Sequence, residues 1–234
     1  GGTIQSSGTR TYANNITLRG NFTHTGTGNA TFSGTVNLGS STRTITNSTT
    51  SGSRVYSGVI SGSSGAGLTF DGSGAGQIYI GNSGNSFSGN ITINGGEVGF
   101  ASDGSVGAAS NTIVIDGGRF SAASTAGGAA SYTLASTHAI QIGSTAGTSI
   151  SAVSGGTLTY DGVISDKAGS TGSWAKQGSG TVSLGGSSSY TGGTAINNGK
   201  VLITTGNNRL PTGTVVSLGQ SSSTNLGTLD LNGF

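Results

Sequence analysis

The stretch from 178 to 203, "GSGTVSLGGSSSYTGGTAINNGKVLI", has an earlier partner from 74 to 100, "GAGQIYIGNSGNSFSGNITINGGEVGF". Phe87 corresponds to Tyr190, and Ile93 to Ile196. The hexamers "YSGVIS" at 56–61 and "YDGVIS" at 160–165 lie 104 positions apart, as do the starts of the two stretches. Such self-similarity predicts a repeat architecture. We therefore predict one continuous domain, 1–234, with leading turns at 1–44 and repeat units at 45–149 and 150–234.

Short β-branched bursts recur through both units, separated by Gly, Asn and Ser turns. This spacing suits a β-sandwich, a β-barrel or a parallel β-solenoid. Two-residue hairpin turns are mostly missing, and each strand offers few apolar residues, so we favour a solenoid. At about 20 residues a turn the chain makes about ten to eleven turns with almost no helix. The corner candidates are 94–96 and 197–199, because Gly and Asn tolerate positive φ.

Composition excludes several kinds of function. Only 7% of the residues are charged, and nine Lys and Arg oppose seven Asp and Glu without forming a basic cluster, so a nucleic-acid surface is not expected. Cysteine is absent, and neither His24 nor His138 has a ligand at metal-binding spacing, so we expect no metal site and no cofactor. No run of 18 apolar residues occurs, so no transmembrane segment is predicted.

The stretch 178–201 resembles the autotransporter-associated β-strand repeat. The residues that match its pattern are Gly178, Gly180, Thr181, Val182, Leu184, Gly186, Tyr190, Thr191, Gly192, Gly193, Thr194, Ile196, Gly199 and Val201. The resemblance implies a right-handed parallel β-helix in a large bacterial protein that is secreted or displayed on the cell surface, commonly as a passenger stalk. That repeat carries no catalytic residues, so none can be transferred to this chain.

Few side chains suggest chemistry. Asp161 and Asp166 lie near Lys167 and form the best acid–base cluster, but the first repeat has Ser57 where the second has Asp161, which favours a polar corner. We expect the aromatic residues mainly to stack inside the rod or at its corners. Trp174 is expected in an exposed loop, where it would contact a partner together with Lys167 and Lys176.

The function that we favour is a non-enzymatic extracellular structural protein, used as a stalk or polymerised head to tail into a fibre on the bacterial surface. Self-association would use strand edges at the terminal turns, near Thr3, Ile4, Leu229 and Leu231, because unpaired edges accept further strands. One alternative is an adhesin that binds glycans or a host surface. A second alternative is a β-helical enzyme that cleaves polysaccharides.

Overall fold

The chain folds as an all-β parallel solenoid of about nine turns. The structure, a computed structural model, describes residues 1–125, 128–220 and 224–234. The strands lie on three faces along each turn: sheet A, then sheet B, then a third face that is built by sheet C in the first turns and by sheet D in the later ones. The last two turns have no sheet A strand, because 185–193 and 204–215 carry none. The predicted fold class is confirmed, while the right-handed sense of the coil and the division into units stay predictions.

All strand pairs within the four sheets are parallel, apart from one short hairpin on sheet B. Sheet A stacks β1 (Gly2–Ser6), β4 (Phe22–Gly26), β7 (Arg43–Asn47), β10 (Leu68–Asp71), β12 (Ile91–Ile93), β14 (Ile113–Ile115), β18 (Ile140–Ile142) and β21 (Ile164–Asp166). Sheet B stacks β2 (Arg10–Tyr12), β5 (Ala30–Phe32), β8 (Ser53–Tyr56), β11 (Gln77–Ile80), β13 (Glu97–Phe100), β15 (Arg119–Thr125), β19 (Ser149–Ala152), β22 (Trp174–Gln177), β24 (Thr194–Ile196) and β26 (Val216–Leu218).

The third face is divided between two sheets. Sheet C stacks β3 (Ile16–Thr17), β6 (Val36–Asn37) and β9 (Ile60–Ser61), and sheet D stacks β17 (Ser131–Leu134), β20 (Thr157–Tyr160), β23 (Thr181–Leu184), β25 (Gly199–Ile203) and β27 (Gly227–Asp230). Between them, 81–90 and 101–112 carry no strand, and within the described residues the one helix is a 3-10 turn at Asp103–Val106. The hairpin strand β16 (Gly128–Ala129) pairs with β15.

The core is a set of inward columns that run along the axis. Alternation along each strand turns every second side chain inward, and parallel pairing then places like positions above one another. In sheet B, the rings of Tyr12, Phe32 and Tyr56 are in register and stack with centroids 5.4 and 4.9 Å apart. Burying a few side chains per turn explains how a chain with 31% hydrophobic residues forms an ordered core.

Many corners are held by side chains that bond along the axis. The carboxamide oxygen of Asn15 accepts a hydrogen bond from the backbone N–H of Thr35 at 3.0 Å, and that of Asn21 accepts one from Thr44 at 2.9 Å. Gly96 and Gly199, in the two predicted corners, both have φ of 68°. Asn94 and Asn198 do not share this backbone conformation, because the described non-glycine residues with positive φ are Asn208 and Asn232.

The two sequence copies occupy different faces. Tyr56 and Ile60 of the first hexamer lie in sheets B and C, whereas Tyr160 and Ile164 of the second lie in sheets D and A. Likewise β11 is in sheet B, and its counterpart β23 is in sheet D. The step from β11 through β13, β15, β19 and β22 to β23 is four turns plus one face. Since 104 residues cover this step, a turn takes about 24 residues rather than the 20 that we predicted.

Candidate functional site

The corner between sheets A and B, here called the A–B edge, forms a shallow furrow along the rod. Cavities of about 540, 190 and 300 Å³ follow one another there, at the corners that lead into β8 and β11, into β13 to β19, and into β19 to β26. The second and third cavities share Gly147. At about 4.8 Å per turn the furrow extends about 34 Å, so it is long enough for an extended ligand.

Glycines line the middle of the furrow because the corner chain is closely stacked there. Gly117 has φ of 106°, and a Cβ placed on it would come within 2.7 Å of the carbonyl oxygen of Asn94 in the preceding turn. Gly96 and Gly147 also have positive φ. With no side chains at these positions, the flanking side chains form the walls.

One wall is a chain of hydrogen bonds across the first residues of three sheet B strands. Arg119 Nη1 lies 3.1 Å from Glu97 Oε2, and Gln77 Nε2 donates to the same oxygen at 3.0 Å. Tyr79 Oη in turn donates to Gln77 Oε1 at 2.6 Å. Burial, followed by the charge of Glu97, raises the pKa of Tyr79, so this phenol stays a neutral donor. The wall therefore presents a fixed guanidinium beside a carboxylate.

A second ion pair lies beside the furrow, directly after two sheet A strands. Lys167 Nζ lies 2.5 Å from Asp116 Oδ2, and Asp116 Oδ1 accepts the backbone N–H of Thr145 at 3.0 Å. The hydrogen bond from Lys167 is the main cause that lowers the pKa of Asp116. The Lys167 side chain is 40% exposed, so this predicted contact residue lies at the surface, although its partner role stays a prediction.

The positions of Trp174 and Lys176 contradict the prediction of an exposed loop. Both lie on β22 and point inward, with 2% and 0% of their surfaces exposed, so neither offers an exposed contact surface. Lys176 Nζ donates to the carbonyls of Gln177 at 2.8 Å, Gly178 at 2.6 Å and Asn198 at 3.1 Å. Burial, with a smaller effect of Arg119, lowers the pKa of this amine to about 8. Its role is to bond the carbonyls of neighbouring corners.

A second buried polar group lies in the early turns. Arg54 is fully buried, and its guanidinium donates to the carbonyls of Gly28 at 2.6 Å and Thr25 at 3.0 Å. His24 Nε2 lies 2.6 Å from Tyr56 Oη, while its Nδ1 has no partner among the described residues. Burial, and then the charge of Arg54, lowers the pKa of His24 to about 3. His24 is therefore a neutral core residue and not a surface histidine.

The predicted acid–base cluster does not converge on a common point. Asp161 directly follows β20, whereas Asp166 is the last residue of β21, and Lys167 pairs with Asp116. Asp166 accepts hydrogen bonds from the backbone of Gly172 and from the Thr191 hydroxyl, both at 2.7 Å, which fixes a corner. Elsewhere, buried His138 lies 3.5 Å from Asp103. Among the described residues, no group of three His, Cys, Asp or Glu is placed to hold a metal.

The aromatic residues do not form an outer binding surface. Tyr56, Tyr79, Tyr160, Tyr190, Phe32, Phe70, Phe87, Phe100 and Phe120 are each at most 2% exposed. Phe87 and Tyr190 fill equivalent inward positions in the faces that lack a strand. The expectation that aromatic side chains mainly stack inside the rod is confirmed, and a glycan surface built on these rings is excluded.

The predicted stacking residues lie at the two ends of the rod. Thr3 and Ile4 belong to β1, which pairs with β4 alone in the described chain, and Leu229 belongs to β27, which pairs there with β25 alone. Leu231 follows β27 and is 53% exposed. The described residues include no helix with the length and apolar character to span a membrane.

The comparisons with known proteins concern the repeats. The model of the passenger-associated-transport-repeat matches 73–98 and 175–203, which contain β11 with β12 and β23 with β24. No curated protein matches the chain, and no solved structure matches it. Glu97 and Arg119, which the sequence analysis missed, follow paired glycines in "GGEVGF" and "GGRFSA", a local pattern that could have identified them. The chain carries two passenger-associated-transport-repeats and so matches autotransporter passenger repeat proteins.

Proposed function

We propose that this chain is a stretch of a non-enzymatic rod displayed outside a bacterial cell, in the manner of an autotransporter passenger stalk. The observation that carries the proposal is the ladder of sheet B, in which ten parallel strands stack from β2 to β26 without a break. Backbone hydrogen bonds then run along the axis and resist bending and extension. The two passenger repeats support the secreted or surface location.

The charge pattern agrees with a passive rod. Hydroxyl and amide groups replace most of the charged surface, and the ion pairs Glu97–Arg119 and Asp116–Lys167 leave few unpaired charges on the A–B edge. The candidate carboxylates lie in different places, Asp161 after β20 and Asp166 at the end of β21. A spacer needs shape and stability and does not need a convergent reactive centre.

Small-angle scattering and electron microscopy test this proposal. Ten stacked strands at about 4.8 Å predict a rod about 45 Å long with a constant cross-section. Incubation with acidic and neutral polysaccharides should release no new ends, and Asp161→Asn should leave that result unchanged. A compact globule in solution, or turnover that Asp161→Asn abolishes, contradicts a non-enzymatic rod.

The turn that contains β26 and β27 supports a second candidate, a fibre made by head-to-tail stacking. Val216, Leu218, Leu231 and Phe234 are 37%, 59%, 53% and 51% exposed there, where another solenoid turn would cover them. We propose that the β1 end of a second copy supplies that turn. Leu218→Lys should prevent fibres in electron micrographs, whereas Val163→Lys, at a side position that is 48% exposed, should not. Monodisperse rods at all concentrations contradict stacking.

A further inference from the structure

The furrow along the A–B edge combines shape with hydrogen-bonding capacity. Its three cavities follow successive corners, and each turn contributes at least a backbone segment to it. Arg119 and Lys167 are anchored by their carboxylate partners, yet their side chains remain 35% and 40% exposed. The middle of the furrow therefore presents fixed N–H donors beside carboxylate oxygens, and Ser and Thr hydroxyls line the cavities on either side, over a total length of about 34 Å.

Charge indicates which polymer fits. In the middle of the furrow, Glu97 and Asp116 balance Arg119 and Lys167, so there is no excess of cations to attract a nucleic acid or a polyanionic glycan. The same pairing neutralises the two carboxylates, so there is no excess of negative charge to attract a basic peptide. A neutral ligand is favoured because it does not oppose these paired charges.

Backbone geometry excludes a peptide that adds as a strand. The strand N–H and C=O groups along the furrow point parallel to the axis and bond to the turns above and below. They are not available to a chain that lies in the furrow. The lining also lacks an exposed aromatic or a deep apolar pocket for peptide side chains. What remains accessible is side-chain donors and acceptors, which suit hydroxyl groups.

We propose that the A–B furrow binds a neutral polysaccharide chain lying parallel to the rod axis. Each sugar offers hydroxyls that both donate and accept, matching the guanidinium, ammonium and carboxylate groups in the middle of the furrow and the Ser and Thr hydroxyls on either side. An extended saccharide repeats over a length close to the spacing of the turns, so successive sugars meet equivalent corners. Binding is weak at each corner and accumulates along the furrow.

The test measures binding of soluble neutral oligosaccharides of glucose and of N-acetylglucosamine by calorimetry and on a glycan array, with oligogalacturonate as the acidic comparison. Ala146 is exposed and lines the third cavity, so Ala146→Trp should fill it and weaken binding by roughly tenfold or more. Ala75→Trp, in the first cavity, should weaken the binding of longer chains. Ala109→Trp is the matched control, because Ala109 is exposed away from the A–B edge.

Arg119→Gln and Glu97→Gln provide the chemical test, because each removes one charge of the pair and changes the donors or acceptors of one wall. Weaker binding in both, with unchanged circular dichroism, supports the proposal. It is overturned if no neutral oligosaccharide binds, if oligogalacturonate binds more tightly, or if Ala146→Trp and Ala109→Trp bind equally well. The proposal rests on the rod being displayed outside the cell, but the rod's length and shape are measured separately, so either proposal can fail alone.

Discussion

His24 makes the early turns of the rod sensitive to acid. In the folded chain its imidazole lies between Phe22, Phe32 and Tyr56, and its pKa is about 3 against 6.5 in an unfolded chain. Between these values the unfolded state takes up a proton that the folded state does not, so stability falls as the pH falls. Each unit below 6.5 removes about 1.4 kcal/mol, which gives a loss of about 3 kcal/mol at pH 4.

The assay is urea unfolding followed by circular dichroism at pH 7 and pH 4, for the native chain and for His24→Gln. Glutamine does not titrate and can still bond Tyr56 Oη, so the variant should lose about 3 kcal/mol less between the two pH values. Protonation of carboxylates elsewhere affects both proteins and cancels in this comparison. Hydrogen exchange should locate the acid-induced opening between 22 and 56. Equal losses in the two proteins, within about 0.5 kcal/mol, refute the reasoning.

Three further predictions concern the interior and the corners. The pKa of buried Lys176 is about 8, so between pH 8 and 9.5 the folded chain loses the proton of this amine while the unfolded chain keeps it. The free energy of unfolding should therefore rise by about 2 kcal/mol over this range. Urea unfolding of Lys176→Met should show no such rise. Phe87→Ala should cost about 3 to 5 kcal/mol in the same assay, whereas exposed Val163→Ala should cost under about 0.5. Gly58→Ala would place its Cβ 1.9 Å from the Gly34 carbonyl oxygen and should lower the melting temperature. Gly20→Ala, which has open space around its Cβ, should leave the melting temperature nearly unchanged. Equal shifts in the two variants argue against close stacking at the corner of Gly58.

Periodicity in the sequence predicts the parallel coil and the glycine corners, because both depend on local residue type. Gly96 and Gly199 have the positive φ that we expected at the corners predicted from Asn and Gly. The number of residues per turn is harder to predict from the sequence, because the length of the corners varies. The strands at 91–93 and 113–115 are 22 positions apart, but Ile113 pairs with Ile140, 27 positions later. Only the observed register of neighbouring turns determines this value.

Buried polar residues account for the other errors. In "SWAKQ" the alternation of Trp174 and Lys176 is that of an inward face, but an ammonium at an apolar position made the stretch resemble a loop. Lys176 pairs in register with Ile150 and Ile196, so the lysine replaces an isoleucine of the column and bonds corner carbonyls instead. Glu97 and Arg119 were missed for a related reason, because their contact forms between turns and leaves only a weak local pattern.

Corresponding strands of the two sequence copies lie on neighbouring faces of the rod. Each copy is therefore rotated about the axis relative to the one before it. If further units of 104 residues follow the same rule, three of them complete 13 turns, and the original orientation returns after about 62 Å. Identical patches would then point in three directions around the axis. A flat surface beside the rod could contact a given patch only on every third unit. Separate partners, in contrast, could bind copies of the same patch from all sides of the rod.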